Sequence, residues 1–376
     1  MSKSSYDVVL LPGDGTGPEV IREAEKVLHA LQENSSSKLS LSTVNGGAQY
    51  YQGHGVEFEP GGRERVERAD AILLGAVGWP GIVRPDGNIA GYELVLGLRF
   101  GLDLYANIRP CKLYPGVVHK IGREFKEVWK PENVDMVIFR ENTEGLYAPA
   151  HGELTRGGQT EVALDTRIIT QKGAERIIRR AMEFARKRPR GAPEDGARRV
   201  TCVDKSNVLR GCQFFRETFL RIAKEFPELE TDFAYVDAFG QWVVRTPEHF
   251  NVVVTTNMFG DIVTDLASVI QGGMGFAAGG NVGDRHAMFE PVHGSAPKHA
   301  GKNEVNPFAT FEASRMMLEW LGERFDDSGL LEDARRLERA VADVLASGKA
   351  RTYDQGGTVS TSGAGDVVAG AIRHTA

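Results

Sequence analysis

The sequence is poor in cysteine, has no long hydrophobic run and shows no excess of basic charge. Its three cysteines, Cys111, Cys202 and Cys212, lack the spacing of a metal site, and an odd number fits a reducing compartment. The first apolar run, residues 8–11, is too short for a signal peptide, and no other run approaches a membrane span. A net charge of -6 over 376 residues favours neither nucleic-acid nor membrane binding. We therefore expect a cytoplasmic protein.

A dinucleotide-binding fingerprint is also absent from the place where one would be expected. The stretch DVVLLPGDGTGPEV has an apolar strand, then Gly13, Gly15 and Gly17, then a helical pattern from Pro18. These glycines read GxGxG, whereas the Rossmann fingerprint reads GxGxxG. Glu19, in the first turn of the helix, would also repel a pyrophosphate bound there. Either a plain strand-to-helix turn or a ligand-contacting loop would explain the glycines.

The chain does contain an alternation of strand-like and helical segments. Apolar, β-branched runs predict strands, and apolar stripes with helical spacing predict helices. Their alternation predicts an α/β architecture with a mixed, largely parallel sheet flanked by helices, and the length is sufficient for two domains. The predicted strands are 7–11, 71–76, 134–139, 199–203 and 252–256, and the predicted helices are 18–31, 170–187, 213–225, 262–270, 306–325 and 332–346.

Three arginines stand near the ends of predicted elements. Arg99 and Arg109 lie ten residues apart in LRFGLDLYANIRP, and Arg140 follows a predicted strand in VIFRENTEGLY. Ligands of open parallel sheets bind at strand ends, and arginine can hold a carboxylate with two hydrogen bonds. A surface salt bridge would explain any one of these arginines, but the three together favour a site for carboxylates.

Three aspartates form a second group of candidates. Asp261 and Asp265 in FGDIVTD stand at i and i+4, on one face of a helix, where they repel each other unless a cation joins them. Asp237 ends a strand-like run in YVDAF. Carboxylates without a cysteine or histidine cluster suit Mg²⁺ or Mn²⁺, although capping and solvent exposure would explain the aspartate pair alone.

Lys205 and Tyr147 are candidates for proton transfer. Lys205 lies just beyond a predicted strand in DKSNVL, and a lysine near a metal and other cations has a lowered pKa and can act as a base. Tyr147 in ENTEGLY is the candidate acid. Either residue on its own would also fit a structural role.

Taken in order along the chain, these segments resemble one enzyme family. GDGTGPEV, LRFGLDLYANIRP, RENTEGLY, DKSNVL, MFGDIVTD and EPVHGSAPKHAGKN are similar to the motifs of the β-decarboxylating dehydrogenases, and most of all to the isopropylmalate enzymes. The resemblance implies a two-domain, isopropylmalate dehydrogenase-like fold that is not a Rossmann fold. It implies a discontinuous first domain of residues 1–104 and 272–376, a second domain of residues 105–271, and an active site in the cleft between them.

The resemblance also implies an activity and the residues that perform it. The activity is a metal-dependent oxidative decarboxylation of a 3-substituted malate to a 2-oxo acid, with reduction of NAD(P). The three arginines would bind the malate carboxylates, and the three aspartates would hold Mg²⁺ or Mn²⁺. Lys205 would remove the hydroxyl proton and Tyr147 would protonate the enol. In this family the lysine and one aspartate come from the partner subunit, so Lys205 and Asp237 imply a homodimer.

For the cofactor, the resemblance implies NAD or NADP, with the GDGTG loop near the nicotinamide. Lys298 stands where the NAD-using relatives have an aspartate, and with Tyr353 it suits a 2′-phosphate. Gly357, in contrast, stands where the NADP-using isocitrate enzymes have an arginine. We therefore predict NADP in preference to NAD. The residues expected at the cofactor are Thr16, His293, Gly294, Ser295, Ala296, Pro297, Lys298, Asn306 and Tyr353.

The substituent on C3 of malate would be read by the segment GYELVLGLR. Val95, Leu96 and Val208 match an apolar pocket of the isopropylmalate enzymes, where burying an isopropyl group contributes roughly 2 kcal/mol. Glu93 would repel the third carboxylate of isocitrate, whereas Tyr92 replaces a glutamate usual in the isopropylmalate enzymes. We predict 3-isopropylmalate as the substrate, with tartrate, D-malate, homoisocitrate or a specialised 3-substituted malate as alternatives.

Three proteins of other classes would each match part of the sequence. A non-catalytic regulatory paralogue would have lost Lys205, Tyr147 or a metal aspartate, and none is missing. A nucleic-acid binder would need a basic stripe, and the only candidate, the loop 186–199, is interpreted as a solvated turn. A metal-dependent phosphatase or aldolase would fit the aspartate pair alone but not the other motifs.

Overall fold

The computed structural model describes residues 3–374. The chain divides into two compact units, each of them discontinuous in sequence. Residues 113–131 and 268–271, assigned to the second domain from the sequence, pack with the first unit instead. The first unit consists of Met1–Leu104, Leu113–Pro131 and Ser268–Ala376, and the second of Tyr105–Lys112 and Glu132–Ala267.

Fourteen strands and eleven α-helices occur within the described residues. The strands are β1 (Tyr6–Gly13), β2 (Leu39–Thr43), β3 (Ala71–Ala76), β4 (Ala106–Lys112), β5 (His119–Ile121), β6 (Glu124–Lys126), β7 (Asp135–Glu141), β8 (His151–Arg156), β9 (Gln159–Asp165), β10 (Arg199–Asp204), β11 (Glu230–Tyr235), β12 (Val252–Thr255), β13 (Ala278–Val282) and β14 (Ala287–Pro291). The helices are α1 (Gly17–Gln32), α2 (Ala48–His54), α3 (Gly62–Arg68), α4 (Leu98–Gly101), α5 (Gln171–Lys187), α6 (Arg210–Ala223), α7 (Val236–Arg245), α8 (Asn257–Ile270), α9 (Phe308–Phe325), α10 (Ser328–Ser347) and α11 (Thr361–His374). Across residues 3–374, no helix combines the length and the apolar character needed to cross a bilayer.

Five strands of each unit pair side by side, mostly in parallel. Their order is β13-β14-β3-β1-β2 in the first unit and β11-β10-β12-β7-β4 in the second. The pairs β13–β14 and β4–β7 are antiparallel, and the other pairs are parallel. Parallel neighbours need crossover connections, and α1 and α6 supply two of them. The predicted α/β class, with largely parallel strands flanked by helices, is confirmed.

Each unit has its own apolar core beside these strands. In the second unit, the helical stripes of α5 and α6 bury Ile177 and Phe219 against Phe139 of β7. In the first unit, Leu94 and Leu98 are fully buried in the cluster that also contains the apolar residues of β1 and β3. This burial fixes the segment immediately before Arg99, which the sequence predicts to read the substrate.

The hairpin formed by β8 and β9 has a different character. Every residue of the two strands is exposed, and the strands pair antiparallel with each other. Leu154, Val162 and Leu164 are among the exposed apolar residues. A two-stranded hairpin alone is marginally stable in water, and an exposed apolar patch is typical of a surface that another chain covers.

Four of the six basic side chains in the loop 186–199, between α5 and β10, are exposed, as its prediction as a solvated turn implies, and two are not. Arg188 and Arg199 are both buried. Arg188 is paired with Asp135, and Arg199 donates to Asp195 and Glu230 at 2.6 and 2.8 Å. These two cations are already paired with carboxylates, which lowers the free basic charge that the loop could offer to a nucleic acid.

Candidate active site

The glycines of the GDGTG turn allow a close approach of a second loop. Gly15 has a φ of +59°, and a Cβ at this position would lie 2.1 Å from the carbonyl oxygen of Ser295. The next residue, Thr16, donates its backbone N–H to that same oxygen at 2.9 Å. The buried Asp14 carboxylate holds the turn by accepting three backbone N–H groups, of which two belong to the start of α2. The turn thus brings together Thr16 and Ser295, two of the predicted cofactor residues.

His293 supplies a buried polar atom to the same loop. Its Nδ1 lies 3.1 Å from the carbonyl oxygen of Gly294, which can only accept, so Nδ1 carries the proton. Burial lowers the pKa of His293, which favours the neutral ring. Its Nε2 is buried and has no hydrogen-bond partner within the described residues. This acceptor fits a hydrogen-bond donor of a bound nucleotide.

The remaining cofactor candidates lie on this loop and beside it. Gly294, Pro297 and Lys298 are exposed. His299 stacks on Tyr353, with 5.2 Å between the ring centroids. Asn306 has a structural task, since its amide donates to Asp354 and accepts the Phe308 N–H at the start of α9. Ala296 has a φ of +41°, and Ser295 and Asn306 are buried.

The segment expected to read the C3 substituent forms a π-helix. It runs over Glu93–Gly97 and continues directly into α4. Turns of π-helix are rare in proteins, and those that occur often lie at functional sites. Their wider winding changes which side chains share a face of the helix. Val95 is half-buried against the core of the first unit, and Leu96 is also half-buried. Neither a helix nor a π-helical turn was predicted here from the sequence.

Glu93 does not carry the free negative charge that the sequence suggested. Its carboxylate accepts from Arg63 at 2.7 Å and from Arg84 at 3.5 Å. Its backbone N–H donates to Glu57 at 2.7 Å. The Arg84 guanidinium also lies over the ring of Tyr92, 5.9 Å from its centroid. Repulsion by Glu93 is therefore a weak reason to exclude a substrate with a third carboxylate.

Arg99 lies in α4, where it is buried and ion-paired. Its Nη2 donates to Glu290 of β14 at 2.7 Å, and Glu290 also accepts from Asn281 at 2.8 Å. The Nε of Arg99 is buried without a hydrogen-bond partner among residues 3–374. A guanidinium with one nitrogen paired and one donor unused suits the binding of a carboxylate. Glu290 was not predicted, although it directly precedes the PVHGSAP segment.

In the second unit, one carboxylate joins an arginine to a tyrosine. Arg140 lies inside β7, near its end, and not after the strand as predicted. Its Nη1 donates to Oδ1 of Asp261, and the hydroxyl of Tyr147 donates to Oδ2 at 2.9 Å. The other guanidinium nitrogens, Nε and Nη2, donate to Asn257 at 3.1 and 2.8 Å. Asn257 was missed in the sequence, where only its position four residues before Asp261 pointed to the site.

Asp265 and Arg109 extend this cluster. Asp265 stands one turn after Asp261 on α8, and its carboxylate lies 4.0 Å from the Arg109 guanidinium. Burial raises the pKa of Asp265, Arg109 opposes that rise, and the nearby Asp261 charge adds to it. The structure thus brings Arg109, Arg140, Tyr147, Asp261 and Asp265 into one cluster, which contains the i, i+4 carboxylate pair expected from the sequence.

Lys205 and Asp237 form a separate pair. The Nζ of Lys205, just beyond β10, donates to Asp237 at 2.7 Å, and this contact lowers the pKa of Asp237. Asp237 lies in the first turn of α7. Val208 follows Lys205 by one turn and is 68% exposed. Within residues 3–374, no three acidic, histidine or cysteine side chains are placed to hold a metal together, so the three predicted metal aspartates are not gathered in one chain.

Comparison with known proteins identifies the family. A model of the isocitrate/isopropylmalate dehydrogenase family matches residues 7–368. The 3-isopropylmalate dehydrogenases of Thermobifida fusca and Clavibacter sepedonicus are 38% and 40% identical to the chain, each over 98% of both proteins. The chain belongs to the isocitrate/isopropylmalate dehydrogenase family. It is therefore an oxidoreductase of the decarboxylating dehydrogenase type, as predicted.

Solved structures agree with this identification. The isocitrate dehydrogenase from Methylococcus capsulatus is 33% identical, with a TM-score of 0.84 over 98% of this chain and 99% of that one. A β-decarboxylating dehydrogenase from Thermococcus kodakarensis is 34% identical, with a TM-score of 0.75 over 98% and 96% of the two chains. The predicted isopropylmalate dehydrogenase-like fold is confirmed, and the family generally uses a divalent metal and NAD(P).

A glycine in α8 of this dehydrogenase makes room for Arg140. A Cβ on Gly260 would lie 2.5 Å from Cγ of Arg140 and 2.6 Å from its Cβ. We expect Gly260→Ala to lower the free energy of unfolding by about 1–3 kcal/mol, the usual cost of overpacking, and to raise KM for the substrate. Urea unfolding and steady-state kinetics measure the two effects.

Gly240→Ala in α7 is the matched control. The nearest atom to a Cβ there is 3.7 Å away, on Leu266, an ordinary contact. Alanine is favoured over glycine inside a helix by about 1 kcal/mol, so this variant should be as stable as the parent or more stable. Equal destabilisation by both substitutions would contradict the proposed crowding at Arg140.

Proposed function

We propose that the enzyme catalyses the oxidative decarboxylation of 3-isopropylmalate to a 2-oxo acid, with reduction of NAD(P) and with Mg²⁺ or Mn²⁺. The observation that carries the proposal is the contact network of Arg140, Asp261 and Tyr147. It combines a cation for substrate carboxylates, a ligand for a hard metal ion and a phenol for proton transfer. The names of the relatives, which match over nearly the whole chain, support the choice of substrate.

Lys205 and Tyr147 are the proposed proton-transfer groups. Lys205 takes the proton of the C2 hydroxyl, directly or through water. Burial and the neighbouring Asp261 charge raise the pKa of Tyr147, so its hydroxyl stays protonated at neutral pH and can protonate the enol after CO₂ departs. Arg99, Arg109 and Arg140 are the proposed contacts for the malate carboxylates.

The carboxylate pair on α8 fits a hard divalent cation. Both side chains reach solvent, Asp261 at 39% and Asp265 at 61% exposure, and both offer oxygen ligands. Burial is the main cause of the raised pKa of Asp265, and a bound cation would offset the repulsion by Asp261 that adds to it. When bound, NAD(P) accepts the hydride from C2, and the divalent ion stabilises negative charge on the substrate oxygen.

We propose a homodimer in which Lys205, Asp237 and Val208 serve the active site of the partner subunit. Lys205 pairs with Asp237, whereas Tyr147 pairs with Asp261, so one chain forms two separate groups. Exposed apolar side chains support a chain-to-chain surface in the second unit. They are Leu154, Val162 and Leu164 of the hairpin, Val208, Trp242 of α7 and Ile262 of α8.

For the cofactor we favour NADP over NAD. Lys298 is exposed on the loop that contains His293, and beside it His299 stacks on Tyr353. A cation and a phenol suit a 2′-phosphate, whereas a ribose hydroxyl pair is bound by a carboxylate. Thr16, Ser295 and the acceptor Nε2 of His293 remain the proposed contacts for the rest of the nucleotide.

A malate with a polar C3 substituent is the second candidate substrate. Arg84 lies over Tyr92, and together with Arg63 it neutralises Glu93. This arrangement favours a group able to form hydrogen bonds near Tyr92, whereas Val95 and Leu96 favour an apolar group.

The deciding experiment follows the absorbance of the reduced nicotinamide. The substrates 3-isopropylmalate, isocitrate, homoisocitrate, D-malate and tartrate are each combined with NAD and NADP in the presence of Mg²⁺ or Mn²⁺. We expect the highest kcat/KM with 3-isopropylmalate. A preference for D-malate, tartrate or a substrate with a carboxylated substituent would show that the polar groups near Tyr92 select the substrate. It would contradict the apolar pocket proposed at Val95 and Leu96. No turnover of any malate would favour a non-catalytic paralogue.

A further inference from the structure

Glu19 links the first turn of α1 to the far end of the loop that follows β14. One carboxylate oxygen accepts the backbone N–H of Gly301, and the other accepts that of Asn303 at 3.0 Å. Glu19 is only 7% exposed. The near end of the same loop is held by Thr16, whose N–H donates to Ser295. One helical turn therefore fixes both ends of the segment 295–303.

The loop needs such support because its backbone is strained. Ala296 and Asn303 have φ angles of 41° and 54°. For residues other than glycine, such angles persist only where neighbouring contacts enforce them. Between the two fixed ends lie Lys298 and His299, the side chains that we assign to the ribose end of the nucleotide.

We propose that Glu19 is a positioning residue for the cofactor, which it serves by holding residues 298–303 in their binding geometry. The proposal rests on the assignment of this loop to NAD(P). It also explains why a carboxylate occupies the helix start, where it would repel a pyrophosphate. The Glu19 carboxylate is occupied by two backbone amides, and hydrogen bonds of this charge-assisted kind are the stronger ones.

The test compares Glu19→Gln with Glu25→Gln. Glu25 lies on the same helix, is half-exposed and has one contact, 3.8 Å from His29. Because a glutamine amide presents a donor to one of the two N–H groups, Glu19→Gln should raise KM for NAD(P) about tenfold, equivalent to about 1.4 kcal/mol. We expect kcat and KM for the malate substrate to stay unchanged, and Glu25→Gln to behave as the parent.

Two further measurements are independent of turnover. The dissociation constant of NADPH or NADH, followed by fluorescence, should rise by the same factor of about ten. In the protein without nucleotide, trypsin should cleave faster after Lys298 and Lys302, which are exposed on this loop. Glu19→Asp keeps the charge at the helix start but is one methylene shorter, so it should shift all three quantities in the same direction.

Unchanged cofactor KM, unchanged nucleotide binding and unchanged cleavage in Glu19→Gln would overturn the proposal. A lower melting temperature with normal cofactor binding would do the same, because it would show a purely structural role. If the parent protein turns over no malate, the proposed function fails, whereas nucleotide binding and loop cleavage still decide the role of Glu19.

Discussion

Replacing Lys205 by methionine is expected to lower kcat by about 10²- to 10⁴-fold, the usual contribution of a positioned general base. Methionine keeps the length of the side chain and removes the proton acceptor. The KM for the substrate should change much less. Lys224→Met, at an exposed position just after α6, is the control and should leave kcat unchanged.

Mixing two inactive variants tests whether the active site is shared. Lys205→Met and Tyr147→Phe are each expected to be inactive as homodimers. If Lys205 serves the partner, half of the sites in a mixed dimer contain both native groups, and random exchange restores about a quarter of the parent activity. Exchange of subunits without any recovery would place Lys205 and Tyr147 in the same chain and contradict the shared site.

Replacing Asp261 by asparagine is expected to have the second large effect. The carboxylate accepts from Arg140 and Tyr147, and an asparagine amide would face one of these donors with another donor. We expect the free energy of unfolding to fall by about 1–3 kcal/mol, because the buried Arg140 loses an acceptor. The Mg²⁺ concentration needed for half-maximal activity should rise at least about 10- to 100-fold. Mutating residues that only hydrogen-bond to metal ligands already weakens metal binding by about this factor, and Asp261 is itself a proposed ligand.

Metal removal and pH complete this test. A chelator should abolish activity, and added Mg²⁺ or Mn²⁺ should restore it. Because the pKa of Asp265 is raised, protons begin to compete with the cation at a higher pH than they would at an ordinary aspartate. The metal concentration needed for half-maximal activity should therefore increase as the pH falls. Asp366→Asn removes an exposed carboxylate paired with Lys26 and should affect neither quantity. A metal requirement that is the same in Asp261→Asn and the parent would refute the assignment.

The elements that the sequence predicted are those with strong local patterns. Apolar stripes with helical spacing predicted α5 and α10, and β-branched runs predicted β3 and β12. All four elements are present in the structure. In contrast, α11 was not predicted, since its sequence TSGAGDVVAGAIRH contains three glycines, which disfavour an isolated helix. Packing explains it, because a Cβ on Gly365 would lie 2.0 Å from the Glu23 carboxylate of α1.

The site residues divide in the same way. The spacing of Asp261 and Asp265 requires only a helix for the two carboxylates to share a face. The pairing of Arg140 with Asn257 joins residues 117 positions apart, and the pairing of Arg99 with Glu290 joins residues 191 apart. No local pattern encodes which distant partner a charged side chain meets, so the neutralisation of Glu93 was also not foreseen.

From its residues alone, this protein could be assigned its fold class, its family and the types of group that perform its chemistry. Local periodicity and the order of the motifs are properties of consecutive residues, so they can be recognised without knowledge of the packing. The partner of each charge is set when distant segments meet, as when Glu19 reaches Gly301 and Asn303 and Arg84 reaches Glu93. Coulombic and hydrogen-bond energies depend on distance and burial, and only folding establishes those quantities.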